Sequence, residues 1–422
     1  MPREQEQSPH PGTPKTRAPE TPRRRACGDV RLRGFSDRAS FQEAVAWLDA
    51  RGIPSLPAEE IKIDAAKGRV LADPISSPVD IPGLDCAAVD GYALRSGETE
   101  GATDYNPLPF ALHEPSKEPL PLAGAVMITA GAPVPSGADA VLPFDATQVT
   151  GRVLEIFSTP AAGSGVERRG QQLRAGAALF EARRILRPQD VGLLAALGID
   201  RVRVLRIPRV RLVIAGPKEF SNGLSAADAI GPMLRGLIKR DGAQAETVNP
   251  AEPRSEAIGQ AIAAPGADVI LVAGRTATGP DDEAPLALAN VGELAMHGIA
   301  LRPGGSTGMG VCGGAPVLLL PGDPLAALCA YELLAGRLIR SLGGRSPELP
   351  HCVRVAEVGR KIVSAIGFVD LCRVRLLEGR VEPVGSAEFG GLVSSALADG
   401  FVVVPAPLEG YAPGTRVEVH LY

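Results

Sequence analysis

The chain has few aromatic residues, one Trp and five Tyr in 422 residues, and no charge of one sign in excess: 44 Lys and Arg against 48 Asp and Glu leave a net −4. Nucleic-acid binding asks for a basic face and stacking rings, so a nucleic-acid partner is not expected. There is no apolar run near the ~20 residues that a membrane helix needs, and no apolar signal core at the N-terminus. A cytoplasmic protein without a membrane partner is the expectation. The six cysteines (Cys27, Cys86, Cys312, Cys329, Cys352, Cys372) form no CxxC, and the five histidines form no HxxxH or HExxH. Neither a disulfide framework nor a zinc site is supported. Chemistry in such a chain falls to carboxylates, basic side chains and backbone amides.

What is abundant is Gly and Pro, 49 and 39 residues, with no collagen period, so they punctuate many short elements. Residues 1–33 are rich in Pro and carry Arg23-Arg24-Arg25, which reads as a disordered basic tail. A helix is expected from Ser40, with Phe41, Ala44, Val45 and Leu48 at helical spacing and Gly52 then Pro54 as its stop. From Ile61 to Arg206 the text is β-prone and broken by turns: Arg69-Val70-Leu71, Ala125 to Ile128, Ala140 to Leu142, Val153 to Phe157. After Pro208 the writing changes to buried strand, Gly turn and helix, repeated at Val210 to Gly216, Asp268 to Gly274 and Val317 to Gly322. A helix from Pro324 to Leu342 follows the third. This pattern predicts a doubly wound α/β domain, and the last 75 or so residues predict a small β-barrel or sandwich.

Ligands of doubly wound sheets sit outside the carboxyl ends of the strands, where these turns lie. Gly216 closes the first turn; Gly274, Thr276, Thr278 and Gly279 line the second; Pro321, Gly322 and Asp323 form the third. A glycine turn lets backbone N–H groups approach an oxyanion, and the helix start behind it adds partial positive charge. Thr276 and Thr278 are candidate hydroxyl donors, and Asp281 and Asp282 are candidate oxygen ligands for Mg²⁺. A fourth segment, Arg302-Pro303-Gly304-Gly305-Ser306-Thr307-Gly308, adds a cation and hydroxyls suited to an anion. Taken singly, such turns are also ordinary doubly wound text, and Asp-Asp before a helix is an ordinary N-cap. Asp90-Gly91 by itself is only a hairpin signal.

Asp85-Cys86-Ala87-Ala88-Val89-Asp90-Gly91-Tyr92-Ala93 is similar to the DNSAMDGYA segment of molybdopterin molybdotransferases, the molybdenum insertases related to the C-terminal part of gephyrin. Ile128 to Val141 resembles I-x-TGAP-x-P-x-GADAV, Arg302-Pro303-Gly304 the start of KPGKP, Leu320 to Pro324 LPGNP, and Ala398 to Phe401 the AdG element. The resemblance implies an elongated mixed N-terminal part with an inserted β-rich domain at 34–206, a molybdopterin-binding α/β domain at 207–346 and a C-terminal β-barrel at 347–422. It further implies a homodimer, with adenylylated molybdopterin and molybdate as substrates, Mg²⁺ as cofactor and AMP as product. A molybdopterin adenylyltransferase or a client molybdoenzyme is the implied partner.

Departures from the family pattern cluster at the site. TGDEL reads Ala215-Gly216-Pro217-Lys218-Glu219, leaving Glu219 as the surviving acid. GGVSVGD-x-D reads Gly274 to Asp282, keeping the final acid but placing Pro280 at the earlier one and Arg275 at the second Gly. The second Lys of KPGKP is Gly305, and the Ser of DNSAMD is Ala87. The resemblance thus implies Asp282 and Glu219 for Mg²⁺, Arg302 for phosphate or molybdate, Gly304 and Ser306 beside it, and Asp90 from the partner subunit lining the site. The alternative is an insertase-like paralogue that binds molybdopterin or the finished cofactor for storage or delivery without hydrolysis.

Overall fold

The computed structural model describes residues 29–50, 56–215, 226–250, 252, 254–385 and 391–422. The tail expected at residues 1–28, the helix stop at Gly52 and Pro54, and the site residues Gly216 and Glu219 lie outside the described residues. The chain divides into two units, Leu56–Arg206 on one hand and Met1–Ser55 with Ile207–Tyr422 on the other. Residues 34–50, expected with the N-terminal part, group by contacts with Ile207–Tyr422. Residues 29–33, expected to be tail, form an ordered turn in which Arg33 and Gly34 N–H groups donate to the Val30 carbonyl at 3.1 and 3.0 Å.

The Leu56–Arg206 unit is built on a six-stranded mixed sheet. Its order is Ala140–Pro143, Gly91–Leu94, Gly124–Ile128, Leu108–His113, Val153–Ile156, Thr147–Thr150. Period-two alternation sends Leu154, Ile156, Phe110, Leu94 and Leu142 to one core, while Val153 and Met127 face out. A second core gathers Leu71, Leu186, Leu194, Val202 and Val204 beneath the helix Pro188–Ala196 and the antiparallel pair Ala58–Lys62 with Arg201–Leu205. The strand expected at Arg69 to Leu71 reduces to single bridges, Val70 to Ile185 and Leu71 to Val204, too short to propagate a ladder.

In the other unit the α/β domain runs β1 (Arg209–Ile214), α1 (Ala226–Arg240), β2 (Gln244–Val248), α2 (Ser255–Ala263), β3 (Val269–Ala273), α3 (Ala284–Val291), β4 (Glu293–His297), β5 (Gly308–Cys312), β6 (Ala315–Leu320) and α4 (Pro324–Ala330). The sheet order is β2-β1-β3-β6-β5-β4. The strands β1, β2, β3 and β6 are parallel; β3 and β6 are apolar throughout, as strands covered on both faces must be, whereas the edge strand β2 carries Gln244, Glu246 and Thr247. The sheet is mixed because β5 returns antiparallel to β6 through Gly313-Gly314, both at positive φ (57° and 87°), the pair of values a two-residue hairpin demands, and β4 pairs antiparallel with β5. The long helix expected from Pro324 holds to Leu342, but its middle, Tyr331–Ala335, widens to a π-helical turn.

The remaining strands close a barrel. Val369–Leu377, Arg380–Pro383, Cys352–Val358, Arg416–Leu421 and Gly400–Val404 pair in that order, and Val369–Leu377 pairs again with Gly400–Val404. Leu301–Arg302 joins this ring in parallel beside Val369 and Asp370. Closure removes the free sheet edges and buries Val358, Val374, Val381, Val404 and Val419.

Candidate functional site

The winding of the sheet reverses at β1: α1 leads to β2 on one side of it, and α2 crosses back to β3 on the other. The crevice between the carboxyl ends of β1 and β3 is thus the switch point, where an open α/β sheet takes its ligand. Ala215 and Gly274 stand at its two rims. Gly274 (φ 97°) and Arg275 (φ 56°) both adopt left-handed backbone, which turns the chain sharply out of β3. The Arg275 guanidinium then reaches back across the crevice, Nε donating to the Ala215 carbonyl at 3.1 Å and Nη1 to the Asp281 carbonyl at 2.9 Å. Arg275 braces the two rims with two of its donors. On the far side a Cβ added to Gly322 would lie 3.3 Å from the Gly274 Cα, so the turns after β3 and β6 meet backbone to backbone. Glycine at 322 is what permits that approach.

Asp282 is half-buried, and its Oδ2 accepts from the Gly279 N–H at 2.6 Å, closing the loop on itself. Its Oδ1 has no hydrogen-bond partner among the described residues and is open to a cation or a donor. The neighbouring Glu283 is spent as a cap, accepting from the Ser255 N–H at the start of α2. Asp323 is likewise an N-cap, accepting from the Ala326 N–H of α4 at 2.9 Å, beside the buried Pro321.

Two expected hydroxyl donors are turned inward. Thr276 is 1% exposed; its Oγ1 lies 3.3 Å from the Ser306 Oγ and 3.4 Å from the Leu320 carbonyl. The Thr276 and Ser306 hydroxyls thus tie the two loops together. Thr278 keeps a half-buried side chain while its carbonyl accepts from the Leu32 N–H at 2.8 Å. The Gly304 carbonyl accepts from both the amide (3.0 Å) and the hydroxyl (2.6 Å) of Thr307, and the Gly305 carbonyl accepts from the Arg38 guanidinium.

Arg302 also differs from expectation. Its guanidinium makes a bidentate pair with Asp370, Nε to Oδ1 and Nη2 to Oδ2, both 2.8 Å, and Asp370 is fully buried and bonded by the Ser364 hydroxyl at 2.6 Å. The pair engages two of the five guanidinium donors. The sequence signal for this partner was absent, since Asp370 stands 68 residues away in a barrel strand. A second residue that sequence reasoning missed is His297, buried at the end of β4, whose Nε2 donates to the Thr276 carbonyl at 2.7 Å. Burial lowers its pKa from the ordinary 6.5, partly opposed by that bond.

Asp90 belongs to the other unit. It is exposed, and its Oδ1 accepts from the Ala130 N–H at 2.7 Å. Further bonds from Gly131 to Ala87, Ala87 to Ala132 and Val134 to Asp85 stitch the Asp85 to Ala93 and Thr129 to Pro133 segments into one surface. Gly91 is required there, since a Cβ would lie 1.9 Å from the Leu142 carbonyl oxygen. Among the described residues no group of three or more His, Cys, Asp and Glu side chains is placed to hold a metal ion, and no helix is long and apolar enough to cross a membrane.

Three family models match consecutive stretches: the MoeA N-terminal region (domain I and II) at residues 39–198, the "Probable molybdopterin binding domain" at 214–341, and the MoeA C-terminal region (domain IV) at 355–422. The chain belongs to the MoeA family. Its relatives include molybdopterin molybdenumtransferase 2 of Mycobacterium tuberculosis, 28% identical over 385 residues, covering 85% of this chain and 94% of the relative. The molybdopterin molybdenumtransferase of Staphylococcus aureus is 24% identical and covers 87% and 92%. A crystal structure of the molybdopterin biosynthesis MoeA protein of Pyrococcus horikoshii superposes with a TM-score of 0.75 at 25% identity, covering 92% of this chain and 100% of that one. At such identities a MoeA-family fold is kept while site residues are free to change. The switch-point turns fall inside the stretch matched at 214–341, the Asp90 surface inside that at 39–198, and Asp370 inside that at 355–422.

Proposed function

We propose that this MoeA-family protein acts in molybdenum cofactor biosynthesis as a molybdenum insertase. Adenylylated molybdopterin binds at the β1/β3 switch point, its phosphoanhydride is cleaved, AMP leaves and molybdate is taken up by the dithiolene. The observation that supports this reading most directly is the left-handed turn Gly274-Arg275, which carries the chain out of the carboxyl end of β3 at the rim of the switch point, where an open α/β sheet takes its ligand. A Mg²⁺ ion fits the donor set as a site with few protein ligands. Asp282 Oδ1 is open, Glu219 is the second acid by motif position, and Mg²⁺ is commonly held by one or two carboxylates plus substrate phosphates. Bound there, the ion would neutralise charge on the phosphate oxygens. Asp282 would hold the ion while its Oδ2 keeps the loop closed on Gly279. In a homodimer, Asp90 of the partner subunit lines the same site.

The second reading, a paralogue that binds molybdopterin or finished cofactor without hydrolysis, is favoured by one observation. The motif cation Arg302 is neutralised by Asp370, which removes a charge that would stabilise the leaving phosphate. Loss of one such group commonly costs ~3 kcal/mol, about two decades in rate.

The deciding experiment supplies purified protein with adenylylated molybdopterin, Mg²⁺ and molybdate and follows AMP by chromatography. Insertase activity gives AMP release that Asp282→Asn lowers by about two decades. Tight molybdopterin binding with no AMP leaves the carrier reading, and absence of binding overturns both. Mass measurement at low concentration tests the homodimer, a stable monomer counting against Asp90 acting in trans.

A further inference from the structure

The segment Asp29 to Ala39 crosses the loops of the switch-point site, and all of it but Ala39 precedes the first stretch matched by a family model. Its contacts fall on three separate loops. The Leu32 N–H donates to the Thr278 carbonyl at 2.8 Å, on the loop that carries Asp282. The Phe35 ring stands edge-on to the His297 ring, centroids 4.9 Å apart, and a Cβ on Gly298 would meet that Phe35 ring at 2.5 Å. The Ala39 N–H donates to the Gly298 carbonyl at 2.9 Å and the Ala39 carbonyl accepts from the Ala300 N–H at 2.8 Å. Arg38, stacked 4.5 Å over Phe35, donates to the Gly305 carbonyl on the third loop.

These contacts are backbone-led and costly to make. Leu32 is 80% exposed and sits at φ 57°, a left-handed conformation that a non-glycine residue holds only where its surroundings enforce it. Apolar burial of its side chain does not hold it there; the bond to Thr278 and the Val30 turn do. The contacts also converge. His297, edge-on to Phe35, donates to the Thr276 carbonyl, so Phe35, through His297, and Leu32, directly, bear on Thr276 and Thr278 of one loop. Asp29, Val30 and Arg31 wall a cleft of about 70 Å³ with Asp282, Pro285, Leu286, Leu294 and His297.

We propose that Asp29 to Ala39 is a positioning strap that holds the Gly274 to Asp282 loop in the geometry that presents Asp282. Phe35 is its central positioning residue, acting through His297 and touching no ligand itself. The functional consequence rests on the Mg²⁺ role given to Asp282 above; the mechanical one does not.

The test uses the full chain and two readouts. Amide hydrogen exchange is compared between the parent, Phe35→Ala and Phe35→Tyr, with the barrel strand Val369–Leu377 as the internal control for folding. Exchange at residues 276–282 rises about tenfold in Phe35→Ala, is restored by the ring of Phe35→Tyr, and the barrel strand is unchanged. Mn²⁺ in the presence of pyrophosphate, read by electron paramagnetic resonance, binds about tenfold more weakly to Phe35→Ala. Faster exchange confined to residues 29–39, with the Asp282 loop unaffected, overturns the strap. A parent protein that binds no Mn²⁺ overturns the metal role of Asp282, and exchange alone then decides the strap. If Phe35→Ala also loosens the barrel strand, Arg38→Ala replaces it under the same criteria.

Discussion

Two loops that touch each other through Thr276 and Ser306 treat their polar groups in opposite ways. The Gly274 to Asp282 loop spends backbone and side chains on bracing itself, through Arg275, Gly279 and Thr276, yet leaves one oxygen of Asp282 uncommitted. The Arg302 to Thr307 loop keeps its motif cation in a bidentate pair with a buried carboxylate and closes its carbonyls with Thr307 and Arg38. Both loops carry family motifs. A motif marks where a loop stands in the fold, whereas availability for a ligand is set by what else reaches the side chain.

The comparison breaks most visibly at Arg302. Arg302→Ala leaves Asp370 buried with one hydroxyl partner and lowers stability by about 3–5 kcal/mol in chemical denaturation. If stability stays within 1 kcal/mol of the parent while molybdopterin binding disappears, Arg302 is a ligand after all and the contrast between the loops fails. Gly322→Ala is next: the added methyl group must move the Gly274 turn by a few tenths of an ångström, at about 1–2 kcal/mol, and pyrophosphate binding falls with it. Unchanged pyrophosphate binding in that variant would remove the turn contact from the site.

The smallest effect is one of pH. His297 is buried with its pKa lowered, so on acidification the unfolded chain takes up a proton before the folded chain does. Its stabilising contribution is complete above pH 6.5 and is lost as pH falls from there through the folded value. Denaturation midpoints followed downward from pH 7 decline for the parent, and the part due to this ring is absent in His297→Gln. Equal slopes in the two proteins would mean that the imidazole is not held neutral.

Much of the α/β domain was legible. Runs such as Val269 to Ala273 and Val317 to Leu320 are apolar at every position, which only strands covered on both faces require, and each ends at a turn. The barrel strands at Arg416–Leu421 and Gly400–Val404 were readable as short β-prone runs between Gly and Pro turns. Less legible was direction: β5 runs antiparallel to both its neighbours, β6 and β4, set by a Gly-Gly hairpin that composition alone does not orient. Residues 29–33 read as tail because their order comes from contacts with Thr278, more than two hundred residues away.

The site divides along the same line. Placement of Gly274, Asp282, Gly322 and Asp323 at strand ends follows from local text, because a buried strand, a turn and a helix start are each written within a few residues. Whether Thr276 faces a ligand or a serine, whether Arg302 is free or paired with Asp370, and whether His297 holds the loop are long-range matters. The sequence by itself determined the family, the order of the domains and the positions of the turns, since periodicity and motif are local properties. Only the tertiary structure decided which charges remain available, because neutralising a buried charge takes a partner from elsewhere in the chain, and chain folding alone brings the two within bonding distance.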